Sequence, residues 1–446
     1  MGNFLLSQRA LLQGFKLAYI IIISYVGVYL LILTLSFAYE KYFDLDASAI
    51  ILKDGQTVGG DFIAFYAAGK IIKEDPGRLY DLKYQKKTQE EIKRDIRTKV
   101  GFLPFAYLPL VAAIFIPFSH FPLLHAYYLW VICSFLLFLS SLILVSSASS
   151  VFRKLSIVEK VFLFILCLGF EPFLMDCLAG GQTSCLGLFL MSLTYYLMKK
   201  RQDYLAGMAF SMSYYKPHLF VIFLIFLFLL KKWRMLKGFL LMGAIFVLLS
   251  LCLVGFQGIS SYYEVVFEFD KFVDFAKVLP TGEILRRIKV GGLSLFLHNL
   301  LPNHSTLAMG LSFCSSVFFC SLLYLSFIRR GFLKDKECIQ LDIAFSLLVC
   351  CSLFFSPRLL TYDLTIMLVP LFLLWPYFWK FAREFMNNYE FIIALLLTAL
   401  FYCEFLFREF LFLNRVINFN VVIIFLWIMC LLYVYRNSNF KLKRKF

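Results

Sequence analysis

Charge is scarce in this 446-residue chain: Asp, Glu, Lys and Arg make up 16% of it against 61% hydrophobic residues, too little polar surface to cover a soluble domain of that length. Histidine is rarer still, five scattered residues with no H-E-x-x-H, and the twelve cysteines lie almost all in apolar runs with no C-x-x-C spacing. These absences leave no basis for a metal site or a disulfide framework, and the cysteines read as small buried hydrophobes. The apolar–polar alternation of a membrane barrel is missing as well. No internal repeat recurs, which weighs against the inverted-repeat transporters.

What fills the chain instead is a succession of apolar runs of roughly 17–25 residues, the length that a ~30 Å hydrocarbon layer demands of a helix. The first, residues 17–38, follows Arg9 and Lys16 and resembles a secretory signal. Its apolar part is too long and no small-x-small cleavage site follows, so it reads as an uncleaved anchor. The formal charge of +16 comes in short clusters beside apolar runs, the pattern that sets membrane topology rather than one that binds nucleic acid.

Taking those clusters as cytoplasmic places Arg9 and Lys16, Arg153, Lys154 and Lys160, and residues 199–201, 231–237, 329–336, 380–383 and 436–445 on one side. Neighbouring clusters must then be separated by an even number of crossings. Between Lys16 and Arg153 this excludes one apolar run, and residues 102–118, with Pro104, Pro109 and Pro117, are the least suited to a straight span. They are expected to form a re-entrant or interfacial segment on the outer side. Between residues 199–201 and 231–237 the single run 204–230 is interrupted at Lys216-Pro217, which predicts a hairpin of two short helices with Lys216 at its outer tip.

The expected fold is therefore an all-α polytopic membrane protein, one integral domain over residues 1–446 with about twelve transmembrane helices and both termini cytoplasmic. Two large outer loops follow, residues 39–120 and 256–304. In the first, Phe62, Phe65, Tyr66, Gly69 and Ile72 share one helical face, which predicts an interfacial helix in the headgroup plane, and a charged helix follows over residues 83–99.

Ionisable residues near membrane level are expensive and default to function. On this topology the outer side collects Asp61, Asp176, Gln182, Lys216, Arg358 and Asp363. Such a set suits a reaction on a lipid phosphate, with a carboxylate as general base for an acceptor hydroxyl and cations for the departing phosphate. Each residue also has a structural alternative. Asp61 follows Gly59-Gly60 and could only cap a helix; Lys216 could snorkel from a hairpin tip. Gln182 could satisfy backbone at a helix start, and Arg358 and Asp363 could simply pair. The 83–99 run reads as a solvated face.

Asp61-Phe62, Tyr66-Ala67-Ala68-Gly69, Leu79-Tyr80-Asp81, Phe105-Ala106-Tyr107-Leu108-Pro109-Leu110 and Ile116-Pro117-Phe118 together resemble the first outer loop of glycosyltransferase family 87. Gly181-Gln182-Thr183-Ser184, Ala206-Gly207, Lys216-Pro217, Ser356-Pro357 and Tyr362-Asp363 follow in the same order as in that family, so the resemblance covers most of the chain. It implies a GT-C-fold enzyme of the inner membrane with its active site facing the periplasm. The donor it implies is a polyprenyl-phosphate sugar, typically mannose and sometimes arabinose; the acceptor would be a lipid or glycan. Transfer would invert the anomeric centre without a metal or other cofactor, and the family's acidic base of the first outer loop maps onto Asp61. Residues 281–299 depart from the family pattern. The rival classes are a transporter or flippase for a lipid-linked sugar, which would place ionisable residues mid-helix, and a scaffold, in which no outer carboxylate is individually essential.

Overall fold

The computed structural model describes residues 57–93, 102–267 except 154, 292–330 except 302–303 and 339–374 except 358, with shorter pieces of 28–52 and 421–432. It is all-helical, and among the described residues strand pairing is limited to two isolated bridges, Leu45 with Leu52 and Ile51 with Thr57.

Three short helices come first. α1 (Phe62–Glu74) buries Phe62 through Gly69 together with Ile71 and Ile72, and only its last residues reach the surface. The one-faced interfacial helix expected here is thus corrected: α1 is enclosed on every side. Glycine explains how tightly, since a Cβ on Gly69 would stand 2.6 Å from the Phe115 carbonyl. α2 (Leu82–Ile92) starts at Asp81, whose carboxylate accepts from the Lys83 and Tyr84 amides and satisfies two orphan donors of the first turn. Residues 102–108 are irregular, with a bend at Tyr107, and α3 (Pro109–Ile114) is a six-residue helix with Pro at its first position. The proline-rich segment is therefore too broken to span a membrane.

α4 (Leu123–Ala148) is long and apolar enough to cross. α5 (Ile157–Leu168), opened by a reciprocal Ser156–Glu159 capping box, leads at a 54° bend into a π-helical segment, Pro172–Ala179, and the two together make another candidate span. α6 (Ser184–Lys199) packs along α4. α7 (Asp203–Met212) and α8 (Val221–Leu229) are the two halves of the interrupted run. α9 (Trp233–Phe267) and α11 (Ser305–Arg330) are again long and apolar enough to cross, with the short α10 (Leu293–Leu300) before α11 and α12 (Ile339–Phe354) after it. Ile132, Leu136 and Ile143 of α4 and Leu240, Val247 and Leu248 of α9 stay exposed, which is the surface lipid covers. The apolar runs at 17–27 and 375–420 lie outside the described residues.

A pair of glycines locks α7 to α9. A Cβ on Gly207 would fall 1.8 Å from the Met235 carbonyl oxygen, and one on Gly238 would fall 2.0 Å from that of Tyr204, so only glycine allows this approach. Gly207 faces Met235 and Phe239, while Ser211 faces Gly243 one turn on, so the helices run in the same direction. Their starts, next to Arg201 and to Lys231 and Lys232, therefore lie at the same end of the molecule, and the chain returns between them through α8. α9 breaks at Gly255 (φ +68°). Beyond the break Tyr262 packs on Tyr80 with ring centroids 5.4 Å apart, so the segments expected as two outer loops touch.

Candidate active site

Two glycine turns packed back to back bring the first pair of polar residues together. Residues 57–60 close a turn, Gly60 N–H donating to the Thr57 carbonyl at 3.0 Å, with Gly59 and Gly60 both left-handed at φ +68° and +54°. The π-helical segment ends at Gly180, and Gly181 is left-handed at φ +64°. A Cβ on Gly181 would meet Phe62 Cβ at 2.7 Å and the Gly59 carbonyl oxygen at 2.9 Å, and one on Gly59 would meet the Tyr127 ring at 2.5 Å. Asp61 leaves the first turn and Gln182 leaves the second, and the Gln182 side-chain amide donates to the Asp61 carboxylate. Asp61 makes no capping bond to α1, although it stands at the cap position. The capping alternative for this residue is thereby removed.

The second pair is ionic. Lys216 Nζ lies 2.7 Å from Asp363 Oδ1, and Ser184 Oγ donates to the same oxygen at 2.7 Å. Ser184 is the first residue of α6, so the carboxylate also sits at the positive end of a helix dipole. Lys216 stands in the break between α7 and α8, as expected, but Lys216 and Asp363 are only 4% and 1% exposed, which excludes snorkelling. Two tyrosines complete the lysine's surroundings, with Nζ 4.3 Å from the Tyr362 ring centroid and 5.6 Å from that of Tyr107. Both phenols lie near enough to Asp61 and to Asp363 to feel the charge of each carboxylate.

Tyr107 is held in place from outside the pairs. The Tyr80 hydroxyl donates to its carbonyl at 2.6 Å. One turn apart on α2, Gln85 and Gln89 hold the irregular chain before it: the Gln85 side-chain oxygen accepts from the backbone N–H of Phe105 (2.8 Å) and that of Gln89 from Leu103 (3.2 Å). Each amide nitrogen donates in turn, Gln85 to the Leu79 carbonyl and Gln89 to that of Leu103, both at 2.6 Å. Two glutamines four apart on the helix thus meet two backbone positions two apart on the facing chain. Read from sequence, this run is a solvated face; in the structure its inner edge carries buried amides.

Of the residues singled out from sequence, the structure brings together Asp61, Gln182, Lys216 and Asp363. Asp176 is buried in the π-helical segment, its Oδ2 has no hydrogen-bond partner, and no described contact joins it to the others. Arg358 lies outside the described residues, and the partner of Asp363 is Lys216. Sequence reasoning passed over Tyr107, Ser184 and Tyr362, though each falls in a motif that carries the family resemblance. It also passed over a second buried ion pair at the far end of α6, where Lys199 Nζ lies 2.6 Å from Asp342 Oδ1 and Tyr195 donates to the same oxygen at 2.7 Å.

Buried hydrogen-bonding atoms without partners cluster near the site in sequence: Gln182 Oε1, Thr183 Oγ1, Ser213 Oγ, Tyr215 Oη, Ser356 Oγ and Thr361 Oγ1. Orphan polar groups of this kind are costly unless a ligand or water answers them. Chemically, the arrangement offers a carboxylate held by a neutral amide, a fixed cation and a set of hydroxyls.

The sequence profile of glycosyltransferase family 87 matches residues 105–357, more than half of the chain. The matched stretch contains Tyr107, Gln182, Ser184 and Lys216, whereas Asp61 precedes it and Asp363 follows it. No curated protein and no solved structure matches the chain.

Proposed function

The chain belongs to glycosyltransferase family 87 and is a membrane glycosyltransferase, and from that premise we propose that it moves a hexose, mannose in our reading, from a polyprenyl-phosphate donor to a lipid or glycan acceptor. In this reading the protein sits in the inner membrane with about twelve spans in a GT-C arrangement, and the reaction takes place at the periplasmic face. Asp61 is the general base. The acceptor hydroxyl gives its proton to the carboxylate, its oxygen forms the new bond to the anomeric carbon, and the bond from that carbon to the phosphate oxygen breaks with inversion. The electron pair leaves with the polyprenyl phosphate, and no metal or cofactor enters the scheme. Lys216, one of whose three N–H donors goes to Asp363, offers the others to the phosphate as charge gathers there. Tyr107 and Tyr362 wall the space between base and cation, and the orphan hydroxyls suit the hydroxyls of a sugar.

The observation that carries the reading is the state of Asp61. Its carboxylate stands at a helix start without capping it, held by a neutral amide, within reach of the tyrosines around a buried lysine. The experiment is mass spectrometry of envelope glycolipids from cells with the wild-type protein, with Asp61→Asn and with none. A hexose-bearing lipid present only with the wild-type protein supports the reading. Identical glycolipids in all three would overturn it.

A further inference from the structure

We propose that Gln182 is a positioning residue for Asp61, fixing which carboxylate oxygen faces the acceptor hydroxyl; this rests on the reading of Asp61 as the base. Gln182 is 3% exposed and its side-chain nitrogen donates to Asp61 Oδ2. The orientation of the amide follows from chemistry, since its oxygen would repel the carboxylate and only its N–H can face it. With Oδ2 engaged, Oδ1 is the oxygen left to accept a proton. Nothing else directs the Asp61 side chain toward the backbone, because the helix start it occupies receives no capping bond from it.

The construction around the contact supports a positioning role rather than incidental packing. Gly59, Gly60 and Gly181 hold left-handed backbone, and a side chain on Gly181 would collide with Phe62 and the Gly59 carbonyl across the interface, while one on Gly59 would strike the Tyr127 ring behind it. The donor is thereby set on rigid backbone on one side and the base on the other. Gln182 also keeps a second polar atom in reserve: Oε1 is buried and without a partner. A glutamine with one arm on a carboxylate and an unanswered acceptor on the other is suited to take a hydroxyl of the incoming acceptor beside the base. An arginine or lysine could hold Asp61 equally well but would offer no acceptor.

Cells lacking the protein and supplied with each variant are pulse-labelled with radioactive mannose, and label in the glycolipid that depends on the protein is counted over time. Gln182→Met, close in shape but without the amide, is expected to lower the initial rate about ten- to a hundredfold. Introduced into Asp61→Asn, the same change is expected to lower the residual rate no further, because a residue that acts through Asp61 has nothing left to act on. A role in packing alone lowers both rates by the same factor. That outcome, or a wild-type rate for Gln182→Met, overturns the proposal. Should Gln182→Met fail to accumulate in the membrane, Gln182→Glu keeps the shape, loses the N–H and sets a second carboxylate against Asp61, and a wild-type rate there overturns the proposal equally. A wild-type rate in Asp61→Asn removes the base itself, a result distinct from either.

Discussion

Lys216 and Asp363 meet at 2.7 Å although 147 residues separate them, and the oxygen they share also takes the Ser184 hydroxyl. A pair so enclosed is stable only while both members are present. We predict that Lys216→Met or Asp363→Leu alone lowers unfolding stability by ~3–5 kcal/mol, because each strands a buried charge. The double variant should recover most of that loss yet transfer no sugar. Thermal melts in detergent beside a transfer measurement check this, and a double variant as unstable as the singles contradicts it.

Asp61 makes the opposite prediction. Since it caps nothing, Asp61→Asn should leave the melting temperature where it is while transfer falls ~10²–10⁴-fold. Asp81, which accepts two backbone amides, provides the contrast: Asp81→Ala should lose ~1 kcal/mol of stability. A destabilised Asp61→Asn with near-normal turnover would make it a structural residue after all.

Gly181→Ala is expected to disable the protein without touching a polar group. The left-handed backbone at this position costs a residue with a Cβ ~1–3 kcal/mol, and the methyl would press on Phe62 and the Gly59 carbonyl. Gln182 is then displaced from Asp61. Glycolipid output should fall far more than the stability loss accounts for; proportionate losses in the two would contradict the prediction.

Orientation can be read chemically. In a cysteine-free background, single cysteines at Lys87, whose side chain is 71% exposed, and at the exposed Arg201 should react with a membrane-impermeant maleimide from opposite sides, position 87 from the periplasm. Labelling of both from the same side would sink the proposed topology.

The helical membrane class was legible because lipid leaves its mark in composition, and the breaks at Pro109 and Pro217 were legible because proline cannot sit inside a helix. Asp61, Gln182, Lys216 and Asp363 stood out as polar residues in an apolar setting, and their residue types suggested base and cation. What sequence could not carry was pairing. Gln182 lies as far from Asp61 as 121 residues, and the contact depends on left-handed backbone at three glycines, which residue type permits but does not specify. Nor could periodicity show that α1 is enclosed on all sides: a stripe of Phe62, Phe65 and Tyr66 looks the same whether the opposite face meets lipid headgroups or the Phe115 backbone. The partner of Lys216 was hidden for the same reason, since nothing local to a lysine beside a proline in a helical break points to a carboxylate 147 residues along the chain.

The amides of Gln85 and Gln89 hold residues 103–105, and through them Tyr107, without using a single charge. Dissolved ions screen interactions between exposed charges over a Debye length of about 10 Å at 0.1 M salt, and neutral hydrogen bonds are indifferent to them. This wall of the site therefore keeps its shape from fresh water to brine. Salt added to the medium acts on the protein's exposed lysines and carboxylates, not on the fastening of this wall.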